Sequence, residues 1–263
     1  MLAALSDVQA SAGRYLPARD ALLECLELLR EDELVMRTRL TAKCAGLEHL
    51  LGHHEAAGRR LTAAFTQLDD ETSPEAVVLM LEIAVDGLYR EAQASSREWA
   101  LRALAGARAL GDGPLAASAA GVLAHSCALL GAIDDAEAAL EEAAALVDAL
   151  PDDELARCLE HAVARVAGTA VNLGHWAQAE TYAERALSVA LATGQGSVLQ
   201  IRWWAAIVRI YRGRLPEAAE VLDTAIEIAR LGSDREGLAR MLTVRAMAAT
   251  EAGEMEDARA SAE

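Results

Sequence analysis

The residues that could act together as a nucleophile and a base form one run, His125, Ser126 and Cys127. Consecutive residues of a helix point about 100° apart, so these three side chains cannot converge on one substrate atom. The sequence contains no phosphate-binding loop with its lysine, no nucleophile elbow, no zinc-protease motif and no kinase motif. We therefore expect a protein that is not an enzyme and that uses no cofactor.

Metal binding is the other chemistry that the residue types allow. His53 and His54 follow Gly52 directly, but neighbouring side chains at a helix start splay apart, so we predict a solvated turn and no metal site. The cysteines are far apart and form no C-x-x-C pair, which argues against both a zinc site and a disulfide framework. They are Cys25, Cys44, Cys127 and Cys158. Such cysteines suit the reducing cytoplasm, where we expect the protein to reside.

The overall charge limits the partners. The chain has 24 Lys and Arg against 41 Asp and Glu, a net charge of −17, which opposes direct binding to nucleic acid. No apolar run approaches the ~20 residues of a membrane span, and the N-terminus lacks the pattern of a signal peptide. We expect neither nucleic acid nor a membrane to bind this chain directly.

The elements that must position any functional residue are helices, because aromatic residues make up only 3% of the chain and alanine and leucine are abundant. A turn residue, usually glycine, recurs on average every 40 residues and is followed five residues later by alanine. The predicted turns are Gly13, Gly52, Ser95, Gly131, Gly174, Gly213 and Gly253. The paired alanines are Ala18, Ala57, Ala100, Ala136, Ala179, Ala218 and Ala258.

Each turn separates a first helix, A, from a second helix, B, whose small residues let a neighbouring backbone approach closely. Glycine can cap helix A in a left-handed conformation, and Pro17 and Pro216 fall in the first turn of helix B, where proline is tolerated. We predict an all-α fold, a right-handed superhelical solenoid of about seven hairpins that forms a single domain over residues 1–263. The last hairpin is truncated, so we expect a piece of a longer protein.

The alanine pattern resembles the tetratricopeptide repeat along the whole chain, although the period of 40 exceeds the usual ~34 and the large aromatics of that repeat are mostly absent. Residues 160–262 also resemble the repeat region of large actinobacterial LuxR-type regulators. In those proteins an ATPase domain of the signal-transduction type precedes the repeats and a helix-turn-helix follows them. The resemblance implies a middle module of a transcription regulator.

The tetratricopeptide resemblance also implies that ligands bind a concave groove lined by fixed positions of helix A. Counting back from each turn gives the candidate site: Arg39, His49, Tyr89, His125, His161, Asn172, Trp203 and Arg240. The same count includes Glu82, Ser118, Gln200, Ile207, Thr243 and Met247. Because aromatic residues are scarce here, we interpret Trp203 as a stacking or apolar anchor and its neighbour Trp204 as a packing residue.

Three functions stay open at this point. In the first, a small effector, a peptide or a protein partner binds the groove of a LuxR-type regulator and shifts an autoinhibited monomer toward an assembled form, which can be a homo-oligomer. In the second, a free-standing scaffold recognises peptide segments of its partners. In the third, the chain is a peptide-pheromone receptor of the Gram-positive kind.

Overall fold

The structure, a computed structural model, describes residues 1–11, 13–30, 32–195, 199–232 and 234–262, and these form helices joined by turns, with no strand among them. The all-α solenoid predicted from the repeat pattern is confirmed. The helices are α1 Leu2–Ser11, α2 Tyr15–Leu28, α3 Leu34–Leu50, α4 His54–Thr66, α5 Pro74–Tyr89, α6 Gln93–Leu110, α7 Gly113–Leu129, α8 Ile133–Ala149, α9 Asp152–Leu155, α10 Val163–Leu173, α11 Trp176–Ala192, α12 Leu199–Tyr211, α13 Leu215–Gly232, α14 Arg235–Ala252 and α15 Met255–Ala262.

The turns inside the hairpins share one hydrogen-bond pattern. In each, the backbone N–H after the turn residue donates to the carbonyl five residues earlier, over 2.7 to 3.1 Å, as His53 does to Glu48. This is the Schellman arrangement, which needs a left-handed residue at the turn. Six of the turns use glycine with φ between 72° and 80°: Gly13, Gly52, Gly131, Gly174, Gly213 and Gly253.

The third turn lies at Glu91, so the predicted turn at Ser95 is wrong. Glu91 has φ of 55° and Ala92 donates to the Gly87 carbonyl, whereas Ser95 is exposed inside α6. Glu91 stands where the other turns have glycine, and Ser95 lies four residues, about one helical turn, further along. The buried Ser96 therefore takes the position that alanine fills in the other hairpins.

The A helices form the inner layer of the solenoid. They contact the A helix of the next hairpin as well as their own B helix, as α3 does with α5 and α12 with α14. The small residue at the start of each B helix is buried, and Ser96 adds a hydrogen bond from its hydroxyl to the Ala84 carbonyl at 2.7 Å. Close packing of this layer brings side chains of non-adjacent helices together.

The A layer is interrupted once, between α9 and α10, where residues 156–162 form turns. The amide of Ala164 donates to the carbonyl of Leu159, five residues back, which marks a local widening of the helix. A methyl group on Gly121 of α7 would lie 2.5 Å from the His161 carbonyl, so only glycine lets α7 pass this close. The interruption brings Glu160 and His161 to the inner layer.

The first hairpin touches the sixth. A methyl group on Gly13 would lie 2.7 Å from the Cα of Gly232, and one on Gly232 would lie 3.1 Å from the Tyr15 ring. The winding of the A layer thus brings the two ends together around a common interior. No described helix is long and apolar enough to cross a membrane.

Candidate ligand-binding groove

Two adjoining cavities occupy the interior enclosed by the A helices. The first, the tryptophan cavity, has a volume of about 220 Å³ and is lined by Leu88, Tyr89, His125, Leu129, Arg165, Asn172, Gln200, Trp203, Trp204 and Arg240. The second, the end cavity, has a volume of about 260 Å³ and is lined by Ala10, Tyr15, Leu47, Leu50, Tyr89, Glu160, Leu199, Gln200, Asp234, Gly237, Arg240 and Met241. Tyr89, Gln200 and Arg240 line both, so the two cavities adjoin at these three side chains, and together they are called the groove.

The structure brings five of the eight predicted site residues to the tryptophan cavity: Tyr89, His125, Asn172, Trp203 and Arg240. Arg39 and His161 line a different cavity of about 520 Å³ between α3 and α5. His49 is buried and stacks on Tyr89 with ring centroids 4.3 Å apart. The predicted positions therefore fall on one inner surface but in separate parts of it, and whether they bind a ligand stays a prediction.

The six additional helix A residues from the same count fall into three groups: some line a cavity, some are buried or partly buried in packing and one is exposed. Gln200 lines the groove and Glu82 lines the α3–α5 cavity. Ser118 is buried and donates to the Pro114 carbonyl at 2.9 Å, and Ile207 and Met247 belong to a hydrophobic cluster. Thr243 is exposed and donates to the Ala239 carbonyl. Position along helix A alone does not distinguish residues that line the groove from residues that pack between neighbouring A helices, because both kinds lie on the inner side of the solenoid.

The two adjacent tryptophans both face the tryptophan cavity. Their rings meet edge to face with centroids 4.2 Å apart. Trp204 is only 4% exposed and packs on Gly168, where a methyl group would lie 2.4 Å from the ring, and its other edge meets His125. Trp204, interpreted above as packing alone, also forms a wall of the site. Both indole Nε1 atoms are buried without a hydrogen-bond partner among the described residues.

Arg165 is the residue that sequence reasoning missed. It lies on α10, is 5% exposed, and its side chain lines the tryptophan cavity. Among the described residues its Nε has no hydrogen-bond partner, and no ion pair involves its guanidinium. A signal existed in the sequence, since a single arginine interrupts the apolar run from Val163 to Ala170. A charge in a buried helix face is rare unless it has a partner.

Burial controls the protonation of the histidine in this cavity. It lowers the pKa of His125 to about 3, and the nearby positive charge of Arg165 lowers this pKa further in the same direction. His125 is therefore neutral at neutral pH, and its Nδ1 has no partner among the described residues. The positive charge of the tryptophan cavity comes from its two arginines.

A second polar group, the histidine cluster, borders the groove and consists of His49, His54, Asp86, Tyr89 and Glu236. The three rings are stacked, with the Nδ1 atoms of His49 and His54 3.2 Å apart. Nε2 of His54 lies 3.1 Å from a Glu236 carboxylate oxygen, so the cluster joins α4 to α14. The predicted solvated turn is thus wrong for His54, although His53 is exposed.

Burial is also the main cause of the pKa shifts in the histidine cluster. It lowers the pKa of His49 to about 4, with a smaller contribution from the charge of His54. Burial raises the pKa of Tyr89 and of Asp86, and Arg90 acts on Asp86 in the opposite direction. Nε2 of His49 lies 3.6 Å from the Asp86 carboxylate.

The buried cysteines and Ser126 are not activated as nucleophiles. Burial raises the pKa of the Cys127 thiol, and the Ser126 hydroxyl donates to the Val122 carbonyl. Burial also raises the pKa of Cys44 and of Cys158 to about 11, so these thiols stay protonated at neutral pH. Among the described residues no three His, Cys, Asp or Glu side chains could hold a metal ion together.

Comparison with known proteins yields structural likeness only. No family model matches the sequence. No curated protein matches it either. Among solved structures, a Rap protein complexed with Competence and Sporulation Factor is similar over 99% of this chain and 71% of its own, with a TM-score of 0.71 and 15% identity.

Two other solved structures cover 99% of this chain. Aspartyl phosphate phosphatase F from Bacillus subtilis has a TM-score of 0.63 and 12% identity, and 67% of its chain is covered. A signal-transduction ATPase with numerous domains from Pyrococcus horikoshii, which carries a tetratricopeptide repeat sensor, has a TM-score of 0.53 and 15% identity, and 40% of its chain is covered. This chain therefore has the fold of tetratricopeptide-like helical repeat proteins.

Proposed function

We propose that this chain is a non-catalytic regulatory module that binds a short peptide, or an exposed segment of a partner protein, in the groove formed by the tryptophan and end cavities. The observation that carries the proposal is that these two cavities adjoin on the inner layer and share Tyr89, Gln200 and Arg240 as lining residues. Together they offer apolar walls and unpartnered donors, the combination typical of ligand sites. The Rap protein complex, whose fold this chain shares, supports a groove of this kind.

The position of the groove suggests how binding is transmitted. The end cavity is lined by α1, α2 and α3 on one side and by α12 and α14 on the other, so a ligand there contacts both ends of the solenoid. Tyr15 meets Gly232 at the same junction. A ligand that binds both ends favours the closed arrangement over one in which the ends separate, by as much as its affinities for the two differ.

We further propose that the module belongs to a cytoplasmic LuxR-type regulator, in which closing of the solenoid controls assembly. The resemblance of residues 160–262 supports this, and so does the shared fold with a signal-transduction ATPase that carries a repeat sensor. The reading frame that contains this segment is the test. A frame that encodes an ATPase before it and a helix-turn-helix after it is expected, and a frame without a helix-turn-helix contradicts the assignment.

The binding proposal is tested by selecting ten-residue peptides from a displayed random library against the purified protein. We expect the selected peptides to lose at least about tenfold in affinity, the equivalent of ~1.4 kcal/mol, in Trp203→Ala. Trp176→Ala is the matched control, because Trp176 stacks on Tyr211 outside the groove with centroids 4.5 Å apart. Failure to enrich any peptide, or equal losses in the two variants, contradicts the proposal.

A separate variant, Gly232→Leu, tests whether contact between the first and sixth hairpins is needed for binding. A leucine at Gly232 cannot fit against the Tyr15 ring and the Gly13 carbonyl, which lie 3.1 and 3.2 Å from the position of a first methyl group. We expect Gly232→Leu to increase the radius of gyration in small-angle X-ray scattering and to weaken binding of the selected peptides. A variant with separated ends and unchanged affinity would show that closing and binding are independent.

A further inference from the structure

The tryptophan cavity has an excess of positive charge inside a strongly acidic protein. Its described lining residues include Arg165 and Arg240 and no aspartate or glutamate, although the chain carries a net charge of −17. Arg240 already pairs with Glu236 at 3.0 Å and with the Gln200 side-chain oxygen at 3.2 Å. The guanidinium of Arg165 is the one that lacks a counterion among the described residues.

A comparison with another buried arginine shows how unusual this is. Arg209 is 8% exposed, and its guanidinium lies 2.8 and 3.0 Å from the two carboxylate oxygens of Glu184. Arg165 is 5% exposed and has no such partner within the described part of the chain. An isolated buried charge costs free energy in the unliganded protein, and packing would be served better by an uncharged side chain.

The other polar groups that line the cavity can both donate and accept, and they belong to Tyr89, His125, Asn172 and Gln200. The Nε1 atoms of Trp203 and Trp204 are buried and have no partner among the described residues, and the positive charge available to a ligand is that of Arg165. The apolar walls come from Leu88, Leu129 and the two indole rings. A complementary ligand therefore brings hydrogen-bond acceptors with negative charge, attached to an apolar group.

We propose that the tryptophan cavity is a specific carboxylate-binding site, in which the Arg165 guanidinium receives the carboxylate of a peptide ligand while an apolar side chain of that ligand fills the cavity beside the two indole rings. A single unpaired guanidinium balances one negative charge, which suits a carboxylate better than a phosphate group of about −1.5 to −2. The volume of about 220 Å³ accommodates about one residue of a ligand. This inference deepens the proposed function and rests on the groove being its ligand site.

The test uses a matched pair of small probes, N-acetyl-phenylalanine and its C-terminal amide, which differ in the carboxylate alone. Titration is followed by the indole ¹H–¹⁵N resonances of the protein, assigned with Trp203→Phe and Trp204→Phe. We expect the acid to shift these two resonances and the amide to bind at least about tenfold more weakly. Equal binding of acid and amide overturns the proposal, and so does equal binding of inorganic phosphate.

Arg165→Met is the decisive variant, because its effects on binding and on stability have opposite signs. We expect it to weaken binding of the acid at least about tenfold and to leave the melting temperature of the unliganded protein unchanged or higher. Arg209→Met is the control, expected to keep the affinity and to lower the melting temperature. If Arg165→Met lowers the melting temperature as much as Arg209→Met and keeps the affinity, Arg165 is structural and the proposal fails.

The library-selected peptides show whether the bound carboxylate is the C-terminus of the peptide or an Asp or Glu side chain. Loss of affinity on C-terminal amidation identifies the terminal carboxylate, and loss on Asp→Asn or Glu→Gln identifies a side chain. Either result supports the carboxylate site, whereas insensitivity to both overturns it. In that case peptides still bind the groove, so the proposed function stands while this inference falls.

Discussion

The tryptophan cavity and the histidine cluster lie on the same inner layer, but they treat their polar groups differently. In the histidine cluster, His54 bonds to His49 at 3.2 Å and to Glu236 at 3.1 Å, and the rings stack, while His49 Nε2 and Asp86 Oδ1 lie 3.6 Å apart without a hydrogen bond. In the tryptophan cavity, Arg165 and both indoles have no partner among the described residues. The bonds of His54 join distant hairpins, whereas the unpaired Arg165 is the basis of the proposed ligand site.

The largest expected effect is the acid sensitivity of the histidine cluster. His49 is neutral in the folded protein, and its pKa is lowered to about 4 by burial, with Asp86, Arg90, His54 and His161 facing it. An unfolded chain, with a histidine pKa near 6.5, binds more protons than the folded one between these values. The contribution of His49 is therefore complete above pH ~6.5 and falls by about 3 kcal/mol as the pH drops to ~4. The buried His125, whose pKa is lowered to about 3, adds a loss of the same sign, which the His49 variant leaves in place.

Urea unfolding at pH 7.5, 6 and 5 measures this effect. His49→Gln removes the titrating group, so we expect a smaller loss of unfolding free energy between pH 6.5 and 5 than in the parent. His53→Gln is the control, because His53 is exposed. Identical pH dependence in the parent and His49→Gln would contradict the assignment of a neutral buried His49.

The second effect is a loss of stability when the packing of Trp204 on Gly168 is disturbed. An alanine methyl at position 168 would lie 2.4 Å from the indole ring, so Gly168→Ala overpacks the wall of the tryptophan cavity and is expected to cost about 2 kcal/mol. Gly46→Ala is the matched control, because nothing lies within 4 Å of its methyl position in α3. It should stabilise by about 0.5–1 kcal/mol through helix propensity. Urea unfolding checks both, and a stabilising Gly168→Ala would show that the ring moves freely.

The third effect concerns the turn behind Tyr89. Glu91 holds φ of 55°, a left-handed conformation that costs a residue with a side chain about 1 kcal/mol relative to glycine. We expect Glu91→Gly to stabilise by about 1 kcal/mol in urea unfolding, with unchanged binding of N-acetyl-phenylalanine. Glu98→Gly, at an exposed position in the interior of α6, is the control and should destabilise by about 1 kcal/mol. A loss of stability in Glu91→Gly would contradict the turn assignment.

The hairpin fold was predictable because each turn repeats a local constraint, a left-handed residue followed by a buried small one. The one misplaced turn, at Ser95, is where that constraint is met by Glu91 without glycine. The helix A positions that the tetratricopeptide resemblance implies also include Tyr89, His125, Trp203 and Arg240, which the structure places on the inner surface. The sequence signals Arg165 only as a charge within an apolar run, and its place in the cavity depends on the interrupted α9–α10 segment. The bridge from His54 to Glu236 was not predictable, because it depends on the winding that joins residues 182 apart.

The smallest effect tests whether the two regions are coupled, because Glu236 touches both. It lies 3.1 Å from His54 in the histidine cluster and 3.0 Å from Arg240, which lines the tryptophan cavity. A carboxylate bound in that cavity competes with Glu236 for Arg240. We therefore expect Glu236→Gln to cost about 0.5 kcal/mol of stability and to raise the affinity for N-acetyl-phenylalanine about twofold.

Glu227→Gln is the control for this variant, since Glu227 pairs with Arg230 inside α13 and touches neither region. Hydrogen exchange of α4 and α14 should rise in Glu236→Gln alone, because only this variant weakens the contact between them. If affinity falls in Glu236→Gln, then Glu236 holds Arg240 in its binding position and does not compete with the ligand. The sign of that change decides whether the histidine cluster opposes ligand binding in the tryptophan cavity or prepares the cavity for it.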